Sequence, residues 1–150
     1  MKKFRFRFES LLSFRKSRRD QCRQILSGLL GDLDQLGLEK QKTMSHRIDQ
    51  LSELRGLNEK GQMDVDRVTS RRFHSGQLLV EIQSIEQQEA ILDDRISKCR
   101  NILAEAEREV KIIEKLREKH QADYNENRER TERIELEQTW LGLNSGEFAR

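Results

Sequence analysis

Between Leu78 and Ile113 the seam residues recur at alternating steps of four and three: Leu78, Ile82, Ile85, Glu89, Leu92, Ile96, Cys99, Leu103, Ala106, Val110 and Ile113, with Glu89 the single polar member. This is the a/d seam of a coiled coil. A stripe of about two positions in seven is too narrow to bury a helix by itself, so the helix requires a partner along its length. Function in such a chain is a matter of what it binds.

Composition limits where that partner comes from. Of 150 residues, 34% are hydrophobic and 37% charged, and there is no proline. That is too little apolar material to fill a compact globule. The apolar residues are nevertheless spaced for helices, which sets the chain apart from a disordered polyampholyte. The expected fold class is all-α: an elongated two-helix antiparallel coiled-coil hairpin with a longer second helix, forming a single domain over residues 1–150. A homodimer of open helices is the competing solution, because the strong seam could pair with itself.

The first helix is expected over about 8–56, carried by Leu11, Leu12, Cys22, Ile25, Leu26, Leu29, Leu33 and Leu36. Arg15 and Arg18 fall where its seam should be apolar. Their stems can lie along the partner helix with the heads in water, or they can meet an acidic partner. From Lys40 through Met44 to Ile48 the spacing becomes a run of fours, which reads as a stutter that locally unwinds the supercoil. Gly28, Gly31 and Gly37 each cost the helix about 1 kcal/mol against alanine. A turn is expected within about 56–72, at Gly56 to Gly61. The second helix then runs over about 72–140, followed by a frayed tail over 141–150. In this register Leu26 to Leu36 lies beside Leu92 to Cys99.

Catalytic and metal motifs are missing from the sequence. Cys22 and Cys99 have no metal-ligand spacing and read as small buried hydrophobes in a reducing compartment. His46, His74 and His120 lie far apart in sequence, and no metalloprotease, phosphate-loop or dinucleotide-binding spacing occurs. No enzyme activity, metal or cofactor is expected. No run of about 18 apolar residues could span a bilayer, so direct membrane insertion is not expected. The opening residues lack the apolar middle of a secretory signal. They have the arginine-rich amphipathic character of a mitochondrial presequence, but the helical pattern runs on past them without a break.

The two ends are the distinctive part. Residues 1–25 carry nine Lys and Arg against two acids, a balance of +7, which leaves −5 for the other 125 residues. In an antiparallel register this basic start lies near residues 110–130. There the seam turns polar, through Arg117, His120, Tyr124 and Asn127. Phe4, Phe6 and Phe8 alternate with basic residues as a strand would, but no second strand-like run exists, so an extended or frayed lead-in is expected. Arginine-rich helices can bind phosphate by charge alone. Here Leu11, Leu12, Ile25 and Leu26 occupy the seam, which scatters the arginines round the helix, and nucleic acid is not an expected partner.

The stretch from Phe4 to Arg15 resembles the opening of the FliJ family of bacterial flagellar export proteins, F-x-F-x-x-E-x-x-L-x-x-R, matching at Phe4, Phe6, Glu9, Leu12 and Arg15. Lys111, Glu114, Lys115 and Leu116 are similar to that family's K-x-x-E-K-L. Glu132 to Gln138 is similar to its E-x-K-x-L-D-E, departing at Ile134, Glu137 and Gln138. Residues 40–105 match as generic coiled coil. The resemblance implies a non-enzymatic cytoplasmic coiled coil like the central stalk of rotary ATPases, peripheral at the inner face of the cell membrane. The implied partners are the hexameric flagellar export ATPase, the cytoplasmic domain of the export gate, and export chaperones. Phe4, Phe6, Phe8, Arg15, Arg18 and Arg19 are the candidate contacts to the ATPase ring, and Phe73, a lone aromatic, is the candidate contact to the gate. Phe73 could instead cap the turn. The alternatives are a generic coiled-coil scaffold and a basic coiled coil on nucleic acid.

Overall fold

The computed structural model describes residues 3–59 and 64–147. They form two helices, α1 (Glu9–Glu59) and α2 (Val65–Glu147), and no strand occurs among the described residues. The all-α expectation, with the second helix the longer, is met. The Leu12 N–H donates to the Phe8 carbonyl at 2.9 Å and the Glu9 N–H to that of Phe6 at 3.4 Å, so the lead-in turns directly into α1. At the start of α2 the Val68 N–H donates to the Asp64 carbonyl at 3.1 Å, which makes Asp64 the N-cap residue. Glu9 and Asp66 each put a carboxylate in a first turn, where the helix dipole favours it.

α1 continues through Gly56 to Glu59, and α2 starts at Val65. Lys60 and Gly61, part of the expected turn, lie outside the described residues. One glycine costs a helix about 1 kcal/mol. Buried Leu54 and the ion pair from Arg71 to Glu53, which joins the two helices, offset that cost and carry α1 past Gly56.

The chain divides into two compact units. Unit one joins Met1–Asp20 to Ala104–Arg150, and unit two is Gln21–Leu103. In each, α1 and α2 run antiparallel: Arg15 meets Glu109 and Glu9 meets Arg117 in unit one, Lys40 meets Glu89 and Glu53 meets Arg71 in unit two. On α2 every residue of the predicted seam from Leu78 to Ile113 is buried or half-buried. In unit two, residues of the Leu26 to Leu36 and Leu92 to Cys99 stretches share grooves, with Leu36 beside Leu92 and Leu33 beside Ile96.

On α1 the seam is more regular than expected. Cys22, Leu26, Leu29, Leu33, Leu36, Lys40, Thr43, Arg47, Gln50, Leu54 and Leu57 face inward at unbroken steps of four and three. The expected stutter through Met44 and Ile48 is absent, since those two side chains are 40% and 64% exposed while Thr43 is 9% exposed. Bringing Met44 and Ile48 inward would rotate the helix by about one residue, roughly 100°, and turn Leu36 and Leu54 outward. The apolar flanks set the register and the polar stretch follows them. The same rule corrects the basic start, where Arg19 faces inward with Arg15 and Arg18 lies outside, with side chains 21% and 52% exposed respectively. An added Cβ at Gly28, Gly31 or Gly37 would meet nothing within 4 Å. No described helix is long and apolar enough to cross a membrane.

Candidate functional site

In unit one the lead-in over residues 3–8 is neither helix nor strand, and alternation along it separates two chemistries. Phe4, Phe6 and Phe8 turn toward α2, while Lys3, Arg5 and Arg7 are exposed. Phe6, at 8% exposure, joins Leu12 (1%), Val110 (2%) and Ile113 (8%) in a closed cluster, with Phe4, Phe8 and Leu116 packed against it. The Phe4 ring lies 5.5 Å from that of Tyr124, and the Phe6 ring lies 5.8 Å from Phe8 and 5.9 Å from His120. The strand-like spacing is thus satisfied by a helix. His120 and Tyr124, which read as a polar seam, present rings that Phe6 and Phe4 respectively cover. Burying a phenylalanine contributes about 1.5–3 kcal/mol, so the lead-in is fastened to α2.

Charge completes this clasp. Arg15 Nη1 lies 2.5 Å from Glu109 Oε2, and Arg18 Nη1 reaches the same oxygen at 3.9 Å. Lys16 pairs with Glu114 at 3.3 Å and Glu9 with Arg117 at 3.7 Å. Arg19 takes its neighbour Asp20 at 3.1 Å. These groups are partly exposed, so each pair is worth about 0–1 kcal/mol and together they select a register more than they add stability. Glu109 was missed in the sequence because it sits one place off the seam residue Val110; an antiparallel register would have pointed to it.

Phe73 lies in unit two, on α2. It is 68% exposed and Val80 is 64% exposed on the same face of α2, one heptad on, lining a shallow groove with Gly76, Gln77, Glu81 and Ser84. The turn that Phe73 could cap takes in residues 60–63, which lie outside the described residues. Val80 carries little signal in the sequence because it ends the apolar run Leu78-Leu79-Val80, in which the seam register takes Leu78.

Among the described residues no group of three or more His, Cys, Asp or Glu could hold a metal. Cys22 and Cys99 are free and half-buried in the unit-two seam, with Cys99 Sγ 3.8 Å from the Cys22 carbonyl oxygen. The family model described as "Flagellar FliJ protein" matches residues 4–136. The chain belongs to the FliJ family. No curated protein and no solved structure matches it. Membership makes it a coiled-coil protein related to flagellar export, and the clasp explains where its FliJ-like residues act. From the opening motif, Phe6 and Leu12 enter the closed cluster, Phe4 packs against it, Glu9 pairs with Arg117 and Arg15 with Glu109. From the second motif, Leu116 packs on that cluster and Glu114 receives Lys16. Two FliJ motifs about a hundred residues apart in sequence are the two sides of one contact. The third, Glu132 to Gln138, is exposed throughout.

Proposed function

We propose that this FliJ-family chain is a non-catalytic stalk component of the flagellar type III export apparatus. It enters the ring of the hexameric export ATPase by its basic end and stimulates hydrolysis. Elsewhere it contacts the cytoplasmic domain of the export gate and export chaperones, working in the cytoplasm at the inner face of the cell membrane. The observation that carries this reading is the FliJ match over residues 4–136, which takes in the whole clasp from Phe4 to Tyr124.

The clasp divides the labour among the candidate contacts. Phe4, Phe6 and Phe8 spend most of their apolar surface within unit one, so they hold the lead-in in place and leave Lys3, Arg5 and Arg7 facing water. Arg15 and Arg19 are engaged by acids, and Arg18 is half exposed. The surface offered to a ring is therefore cationic, suited to steering and orienting an acidic partner. For the gate, the exposed pair Phe73 and Val80 supplies an apolar anchor of the kind that dominates protein interfaces.

The test is ATP hydrolysis by the partner ATPase with native chain and with the triple variant Arg5→Gln, Arg7→Gln, Arg18→Gln at matched helicity. Stimulation is expected to be lost, and the salt dependence of binding to become shallower. Equal stimulation by both proteins would remove the basic end from the mechanism.

A further inference from the structure

His46 on α1 and His74 on α2, far apart in sequence, meet in unit two with their Nε2 atoms 3.2 Å apart and ring centroids 5.3 Å apart. Neither belongs to the seam, and both rings are exposed. As a neutral pair they can form one hydrogen bond, with one ring donating Nε2–H to the Nε2 lone pair of the other. The same spacing suits a metal ion. Two imidazole nitrogens held at about 2.0–2.1 Å from one tetrahedral ion stand about 3.3–3.4 Å apart, so the rings need to move by a few tenths of an ångström.

We infer that His46 and His74 form a two-histidine site for a late first-row divalent cation, zinc, nickel or copper, that clamps α1 to α2. Imidazole selects these ions, and the absence of a third candidate ligand among the described residues leaves the remaining positions to water. Binding needs both Nε2 lone pairs. The ring that carries Nε2–H passes that proton to solvent and takes one on Nδ1, so the neutral pair releases no net proton. The two partners are held in place from both sides, because the ion pairs from Lys40 to Glu86 and Glu89 and from Arg71 to Glu53 join the same two helices on either side of the pair. That preorganisation separates the pair from two histidines that merely share a surface. The inference does not depend on the export reading.

The experiment uses the full chain without an affinity tag at pH 7.5, titrated with zinc chloride and separately with nickel chloride, and follows binding by calorimetry and thermal unfolding by circular dichroism. One ion per chain is expected to bind. At a free concentration a hundredfold above Kd, the unfolding equilibrium should shift about a hundredfold toward the folded chain. His46→Ala and His74→Ala should each weaken binding at least tenfold with helicity unchanged, since both side chains are exposed, while His120→Ala should bind as the native chain does. Equal affinity in either of the first two variants, no saturable binding, or one ion shared between two chains would overturn the site.

Discussion

In unit one α1 and its lead-in meet α2 over Phe6, Leu12, Val110 and Ile113, none more than 8% exposed, and the charges lie around that cluster. In unit two, over Lys40 to Gln50, the order is reversed: Lys40, Thr43, Arg47 and Gln50 occupy the seam itself, while Met44 and Ile48 lie outside. Lys40 Nζ sits 3.2 Å from Glu89 and 3.4 Å from Glu86, and Thr43 Oγ1 turns back to donate to its own helix at the Glu39 carbonyl. The Nε of Arg47 is buried without a hydrogen-bond partner among the described residues. Apolar packing holds unit one, where the buried Nε of Arg15 also lacks a hydrogen-bond partner among the described residues while its Nη1 pairs with Glu109. The polar seam of unit two contributes less energy but accepts few alternative pairings, so it specifies which residues face each other.

The largest test of this contrast is Leu12→Ala. It deletes a side chain that is 1% exposed, and the loss should be about 3 kcal/mol, read as a fall in the urea midpoint of helicity. A loss under about 1 kcal/mol would mean that the cluster is not the dry core described. Arg47→Leu should act in the opposite direction. It removes a buried donor that has no partner and restores an apolar seam position, so a gain of about 1–2 kcal/mol is expected in the same assay. Destabilisation would show that the arginine head pairs in solution.

The smallest effect concerns Lys40. The hydrogen bond it donates to Glu89 is the main cause that holds its ammonium above the ordinary lysine value; burial opposes this, and Glu86 adds to it. A group whose pKa is raised in the folded state contributes stability that is complete below its unfolded value, about 10.4, and is lost as pH rises through the folded value. The urea midpoint of the native chain should therefore fall above about pH 10.4 relative to Lys40→Arg, whose charge persists. Parallel curves for the two proteins would show that the trio with Glu86 and Glu89 contributes nothing to unit two.

What was legible in the sequence follows the same division. From Leu78 to Ile113 the apolar spacing and the buried face coincide at every seam position except Glu89, because there hydrophobicity and register agree. Around Lys40 they disagree. Counting apolar residues picks Met44 and Ile48, whereas register carried in from Leu36 and Leu54 picks Thr43 and Arg47. Spacing puts Arg18 in the seam where the structure puts Arg19 for a similar reason, since nothing apolar marks the seam there. The phenylalanine lead-in reads as extended or frayed, and its partners His120 and Tyr124 look polar in one dimension. The meeting of His46 with His74 lies outside any periodic pattern, and the pairing of the helices alone brings it out. For the candidate contacts, the sequence supplied residue types, while exposure separates Phe73 and the basic row from the buried Phe6.

The glycines at 28, 31 and 37 have a mechanical consequence. No neighbour would touch a side chain at any of them, so close packing does not explain their presence, and alanine at each would lower the cost of the helix by about 1 kcal/mol. Together they place about 3 kcal/mol of avoidable weakness within less than three turns of α1. This stretch of α1 is therefore where the helix is expected to open first, and packing against α2 has to offset that weakness.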